Sequence, residues 1–270
     1  MRKLPYFAWL IAALIPASCD RPAEPASPGT VEAAPPAPAT PTPDVVPQRL
    51  GRADLLAAVE QAASDYAAGK ARDGADPLTG RAFVLDLAFG CNGPTPADAA
   101  TDGLPGWSWG RDRKAIEISL APAAWTDSPL VGGASGDGWE AVEGFWIARP
   151  WMRADGCPGA AVEAPAAPTI GSPQTVGLAA VFEADGSRLG RRNGRAYRHT
   201  IRPVEAATVS ATEGYRLRLE GRFASFADGG AVRCQAASTA RRPVCVAAAQ
   251  LDRVAFTTAS GEILSEWRPD

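Results

Sequence analysis

From residue 82 to residue 267 apolar and polar side chains repeatedly alternate with a period of two, the pattern of strands that bury one face. In RAFVLDLAFG (81–90), Phe83, Leu85, Leu87 and Phe89 fall on one side and Asp86 on the other. In RKAIEISLA (113–121), Ile116, Ile118 and Leu120 alternate with Glu117 and Ser119. EAVEGFWIARPW (140–151) is apolar and aromatic up to Pro150, and TVGLAAVFEADG (175–186) places Val176, Leu178 and Phe182 on one side. In GYRLRLEGRF (214–223), Tyr215, Leu217 and Leu219 alternate with Arg216, Arg218 and Glu220. Short candidates follow in AVRCQA, PVCVAAA, DRVAFTT and GEILSEWRP. Gly and Asp turns separate these eight or nine segments. The pattern predicts a mainly β, mostly antiparallel domain, either a sandwich-like pair of sheets or one strongly curved sheet.

One segment has the other period. In LGRADLLAAVEQAASDYAA (50–68), Leu55, Leu56, Val59, Ala62, Ala63 and Tyr66 recur at helical spacing. Asp54 near the start and Gly69 after the end mark the termini of one N-terminal amphipathic helix. This helix is expected to lie across the sheet.

Upstream of the helix the chain does not read as folded. Residues 21–48 contain nine prolines and six alanines in twenty-eight positions. Such a segment favours extended polyproline II and buries no apolar surface. Before it, Arg2 and Lys3 precede an apolar run from Phe7 to Ile15. That run is shorter than the ~20 residues a spanning helix needs and suits the core of a secretory signal. Ala17 and Ser18 then lead into Cys19. The string resembles a lipobox, the recognition site of lipoprotein signal peptidase, with Pro16 where Leu is usual. The resemblance implies removal of residues 1–18 and attachment of diacylglycerol to Cys19, which would anchor the chain to a bacterial membrane, facing the periplasm. The alternatives are an ordinary secretory signal cut nearby and a retained membrane anchor. On the lipidated reading, residues 19–49 are the lipid-bearing cysteine and a tether, and 50–270 form a single β-rich domain.

Cysteine usage fits export. With Cys19 lipidated, Cys91, Cys157, Cys234 and Cys245 remain, an even set that can pair completely. Cys234 and Cys245 bracket a short segment suited to a hairpin connection, so they are expected to bond, which leaves Cys91 for Cys157. No pair has C-x-x-C spacing and His199 is the only histidine, so neither a zinc site nor a thioredoxin-like motif is expected.

The charge balance, 27 basic against 30 acidic side chains, argues against nucleic acid as a partner. Two local features stand out from it. Arg188, Arg191, Arg192, Arg195, Arg198 and Arg202 occur without an intervening acid, around the turn signal Asn193-Gly194. They are candidates for contact with an anionic headgroup, a membrane surface or an acidic protein face, against the simpler reading of a solvated hairpin. Trp107 and Trp109 alternate in a Gly-rich stretch and are candidates for an aromatic, glycan-stacking surface, against simple core packing.

No catalytic order emerges. There is no G-x-S-x-G, no phosphate-binding loop in GGASGDG, and no calcium-loop repeat near Asp127 and Asp137. Asp86 and Glu117 are a possible carboxylate pair across one sheet, by default a solvated one. The expected function is therefore a non-enzymatic cell-envelope lipoprotein, a β-rich interaction or binding module for an envelope protein, glycan or lipid, with no cofactor and no metal. The alternatives are an envelope hydrolase whose site assembles only in three dimensions and a glycan-binding module using exposed tryptophans.

Overall fold

A computed structural model describes residues 48–70, 76–97, 99, 101–132, 138–159, 169–184, 191–202 and 213–268. The chain divides into two units, Met1–Val45 and Val46–Asp270, and every described residue lies in the second. Cys19, the proline-rich tether, Arg188 and most of the GGASGDG string lie outside the described residues. No described helix is long and apolar enough to cross a membrane.

The domain is mainly β, as the alternation predicts. One helix, α1 (Arg52–Ala67), is followed by eleven strands among the described residues. They are β1 (Ala82–Phe89), β2 (Gly106–Trp109), β3 (Ile116–Leu120), β4 (Ala123–Ala124), β5 (Trp139–Ala148), β6 (Thr175–Glu183), β7 (Tyr197–Ile201), β8 (Tyr215–Phe223), β9 (Val232–Gln235), β10 (Val244–Thr258) and β11 (Ile263–Trp267). The larger sheet runs β1-β8-β10-β6-β5-β4, with β9 and β11 also paired to β10. A separate three-stranded sheet runs β2-β3-β7.

The segments PVCVAAA and DRVAFTT, read as two strands in the sequence, are one fifteen-residue strand, β10. Its first half pairs with β9 and, in parallel, with β6. Its second half pairs antiparallel with β8 and β11. The β8 register shifts between Leu251 and Arg253, and a bulge of this kind bends a strand and increases its twist. The strand thus changes neighbours along its length without breaking, which a break in alternation at Gln250-Leu251-Asp252 disguises in the sequence.

Burial follows the two periods. On β1, Phe83, Leu85, Leu87 and Phe89 are buried, and the intervening residues are not. On α1, Leu55, Leu56, Val59 and Ala63 are buried, and the helix packs on β1, β9 and β10. Tyr66, expected on the apolar face, is exposed, and its hydroxyl accepts from the Ala236 N–H at 3.3 Å.

The middle strands are buried on both faces. Phe145, Ile147, Leu178, Ala180, Ala247 and Ala249 join the main core with α1 and the small sheet. Val142, Trp146, Ala179, Val181, Val246 and Ala248 join a second cluster on the other side, with Trp125, Val131, Trp139 and Phe226. This explains why the sequence becomes continuously apolar, and small, at the centre. A Cβ on Gly144 would stand 2.1 Å from Trp125 Cε2, and one on Gly177 would stand 2.9 Å from Trp125 Cη2. The indole lies flat against backbone that only glycine leaves bare.

Two disulfides close the domain. Cys234 and Cys245 face each other in register across β9 and β10. Cys91 bonds Cys157 across a sequence separation of 66 residues, a loop whose closure contributes roughly 4 kcal/mol in the chain-entropy account.

Candidate functional site

At one end of β1 and β5 a cavity of about 170 Å³ opens. Its walls come from distant parts of the chain: the first turn of α1, the loop after β1, the segment before β2, the end of β5 and the loop through Gly156. The Cys91–Cys157 bond joins the loop after β1 to the loop after β5, so two of these walls are covalently linked.

Two arginines line it, and each is placed by a different device. Arg52 is the first residue of α1 and is 5 % exposed. Its guanidinium donates to four backbone carbonyls. Nη2 reaches Ala148 O at 3.1 Å and Arg149 O at 2.9 Å, while Nη1 donates to Met152 O and, at 3.5 Å, to Ala154 O. The chain leaving β5 is therefore wrapped around one cation.

Arg149 sits inside that wrap, one residue before Pro150. Its φ is +56°, a region a non-glycine residue enters at a cost of about 1–3 kcal/mol and one that a following proline further restricts. The conformation is held at both ends. The Arg149 N–H donates to Gln174 O at 3.2 Å, and its carbonyl accepts from Arg52 and from the Met152 N–H at 3.0 Å. Its side chain runs back to β1, where Nη2 donates to Ala88 O at 2.9 Å. Its Nε is buried and has no partner among the described residues. Trp146, which also lines the cavity, has a buried indole N–H with no acceptor.

The electrostatics are one-sided. Burial pulls the Arg52 guanidinium below the usual arginine range; Asp155 opposes this and Arg149 adds to it. Burial does the same to Arg149. Neither guanidinium has a salt bridge among the described residues. The contrast with the outer face of the large sheet is sharp. There Glu220 accepts from Arg218 and Arg253 at 2.8 Å each, Asp86 pairs with Arg218, and Glu266 pairs with Arg253. For Glu220, burial works against ionisation, and the bonds from Arg218 and Arg253 outweigh it, leaving the carboxyl below its ordinary range. Those charges satisfy one another; the cavity cations do not.

The sequence candidates are distributed as follows. Trp107 is 3 % exposed and packs in the main core, and Trp109 is half-buried. Their rings stand edge to face, 5.4 Å apart at 81°. GWSW is a strand, β2, paired with β3, and it places Trp107 in the core, so the two rings do not form one exposed face. Asp86 and Glu117 lie in different sheets, β1 and β3, and do not form a pair. His199 is half-buried on β7, opposite Ile118 of β3.

In the arginine segment, Asn193 and Gly194 have φ of 49° and 77°, and the Arg195 N–H donates to Arg192 O at 2.9 Å, a two-residue turn of the type expected. The strand after the turn, β7, has β3 as its partner. Arg191 pairs with Glu140 at 3.4 Å, and Arg192 lies 4.9 Å from the centre of the Tyr197 ring. Arg195, Arg198 and Arg202 are exposed. The turn is anchored by Glu143, a buried carboxylate on β5 whose Oε1 accepts the Arg192 and Asn193 N–H groups at 2.7 Å each.

Sequence reading missed Arg52 and Arg149. The available signals were a basic residue within the apolar onset of the helix and an Arg-Pro step closing the most apolar strand. Among the described residues, no group of three or more His, Cys, Asp or Glu side chains could hold a metal ion. The chain matches no family model, no curated protein and no solved structure.

Proposed function

We propose that this chain is a cell-envelope lipoprotein, a non-enzymatic β-rich binding module tethered to the membrane through lipid on Cys19. The observation that carries the reading is the cysteine arrangement. Cys91–Cys157 and Cys234–Cys245 use four of the five cysteines as disulfides, and disulfides of this kind persist in oxidising, extracytoplasmic compartments. The fifth, Cys19, is the one that follows the lipobox-like Ala17-Ser18. Two or more acyl chains hold a domain stably to a bilayer where one alone holds it only marginally. The proline-rich residues 21–48, at roughly 3 Å each when extended, give the domain a reach of up to about 80 Å from that anchor. The cavity between α1 and the ends of β1 and β5 supplies the binding capacity.

Metabolic labelling with a tagged fatty acid tests the tether. The wild-type chain should be labelled and fractionate with membranes, and Cys19→Ala should be unlabelled and released. Equal labelling of both chains would sink the proposal.

A further inference from the structure

We infer that the cavity is a binding site for a small organic carboxylate, an apolar body whose carboxylate is received at Arg149. The inference deepens the reading of the domain as a binding module and is independent of the lipid. Four observations meet at this place. The cavity has about 170 Å³, less than the ~300–1,000 Å³ of pockets for drug-sized ligands. Its size suits a small organic group. Leu87, Phe89, Leu104 and Ile147 give it apolar walls, which suit a hydrocarbon or ring and disfavour a fully hydrated ion.

The charge is the second observation. Arg52, Arg149 and Asp155 are the charged residues among the described lining, and they leave a single net positive charge. A monoanion matches that balance.

The third is the division of labour between the two arginines. Arg52 spends both terminal nitrogens on the carbonyls of Ala148, Arg149, Met152 and Ala154. Its fork is filled, and it contributes charge and rigidity. Among the described residues the Arg149 side chain makes one hydrogen bond, from Nη2 to Ala88 O, and Nη1 of its half-buried guanidinium makes none. A guanidinium carries five N–H donors in a planar fork that fits a carboxylate in bidentate fashion. The Nε is closed off from the cavity, so Nη1 and the second Nη2 proton are the donors that a carboxylate there would meet.

The fourth is the backbone. Arg149 holds a φ of +56° before proline, a conformation fixed from both sides by Gln174, Met152 and Arg52. Strain of this sort is retained where the surrounding structure over-determines it, and it clusters at ligand-binding positions. Here it sets the direction from which the guanidinium is presented.

Isothermal titration of the full chain with benzoate, benzamide and inorganic phosphate tests the site. Benzoate should bind with a Kd of about 1 mM or tighter, and benzamide, the same size without the charge, at least about tenfold more weakly. Arg149→Gln should weaken benzoate by about tenfold or more, the worth of one charge-assisted hydrogen bond, and Arg149→Lys should fall between the two. Equal binding of benzoate and benzamide, no benzoate binding up to a Kd of about 10 mM, phosphate matching benzoate, or unchanged binding in Arg149→Gln would each overturn the inference. If Arg149→Gln does not fold, the comparison of benzoate with benzamide on the wild type decides alone. The Cys19→Ala chain should bind benzoate like the wild type, so a failure of the lipid tether and a failure of this site are read separately.

Discussion

Arg52 Nη2 donates to the backbone carbonyl of Arg149 at 2.9 Å, so one buried cation fixes the backbone from which a second is presented. Like charges brought this close are held there by geometry. The four carbonyls around Arg52 carry partial negative charge and stand in for a carboxylate. The carboxylate nearest by field, Asp155, is exposed at the rim. The arrangement leaves the described lining net positive and braces its wall, which suits preorganised recognition of an anion.

The two arginines should therefore respond differently to substitution. Arg52→Ala removes the donor to four carbonyls of the loop after β5 and should cost about 3 kcal/mol, at the upper end for hydrogen bonds to a charged group. Arg149→Gln loses the single side-chain bond to Ala88 and should cost about 1.5 kcal/mol, half as much. Urea unfolding midpoints measure both. Equal losses would mean that Arg149 is as structural as Arg52.

Glu143 gives the domain a definite pH dependence. Burial raises its carboxyl above the ordinary range, and the Asn193 and Arg192 N–H groups, with Arg191 and Arg192 nearby, offset only part of that. The folded state therefore holds the proton to higher pH than the unfolded chain does. The stability tied to this proton is fully present below the ordinary carboxyl value of about 4.3 and is lost as pH rises through the raised folded value. Glu143→Gln has no proton to lose and should show a flatter stability profile across that window. Denaturant midpoints of the two chains from about pH 4 to pH 8 check it. Parallel profiles would contradict the assignment.

How far the sequence spoke depends on whether the signal was local. The alternation in 82–89 and in 116–120 named the buried side residue by residue, because one face of each strand meets the core. The helix was legible for the same reason. The continuity of β10 was not, because a bulge next to Asp252 breaks the alternation without breaking the strand. β2 and β7 were not among the strands read from alternation, because Trp107 and Trp109 stand amid glycines and Tyr197–Ile201 among arginines. The cavity is the extreme case. Arg52 and Arg149 lie 97 positions apart, and what joins them is a hydrogen bond from a side chain to a backbone carbonyl, which leaves no periodicity and no motif. The arginine cluster that did stand out in the sequence is partly consumed by Glu140, Glu143 and Tyr197.

The most direct test of the anion site observes the Arg149 guanidinium itself. In a ¹⁵N-labelled chain the Arg149 Nε–H gives a side-chain NMR signal that is identified by its disappearance in Arg149→Lys. On titration with benzoate this signal should shift progressively as the carboxylate engages the Nη side of the same guanidinium, while titration with benzamide should leave it in place. An Arg149 Nε–H resonance that stays fixed while benzoate moves signals elsewhere in the domain would contradict the account.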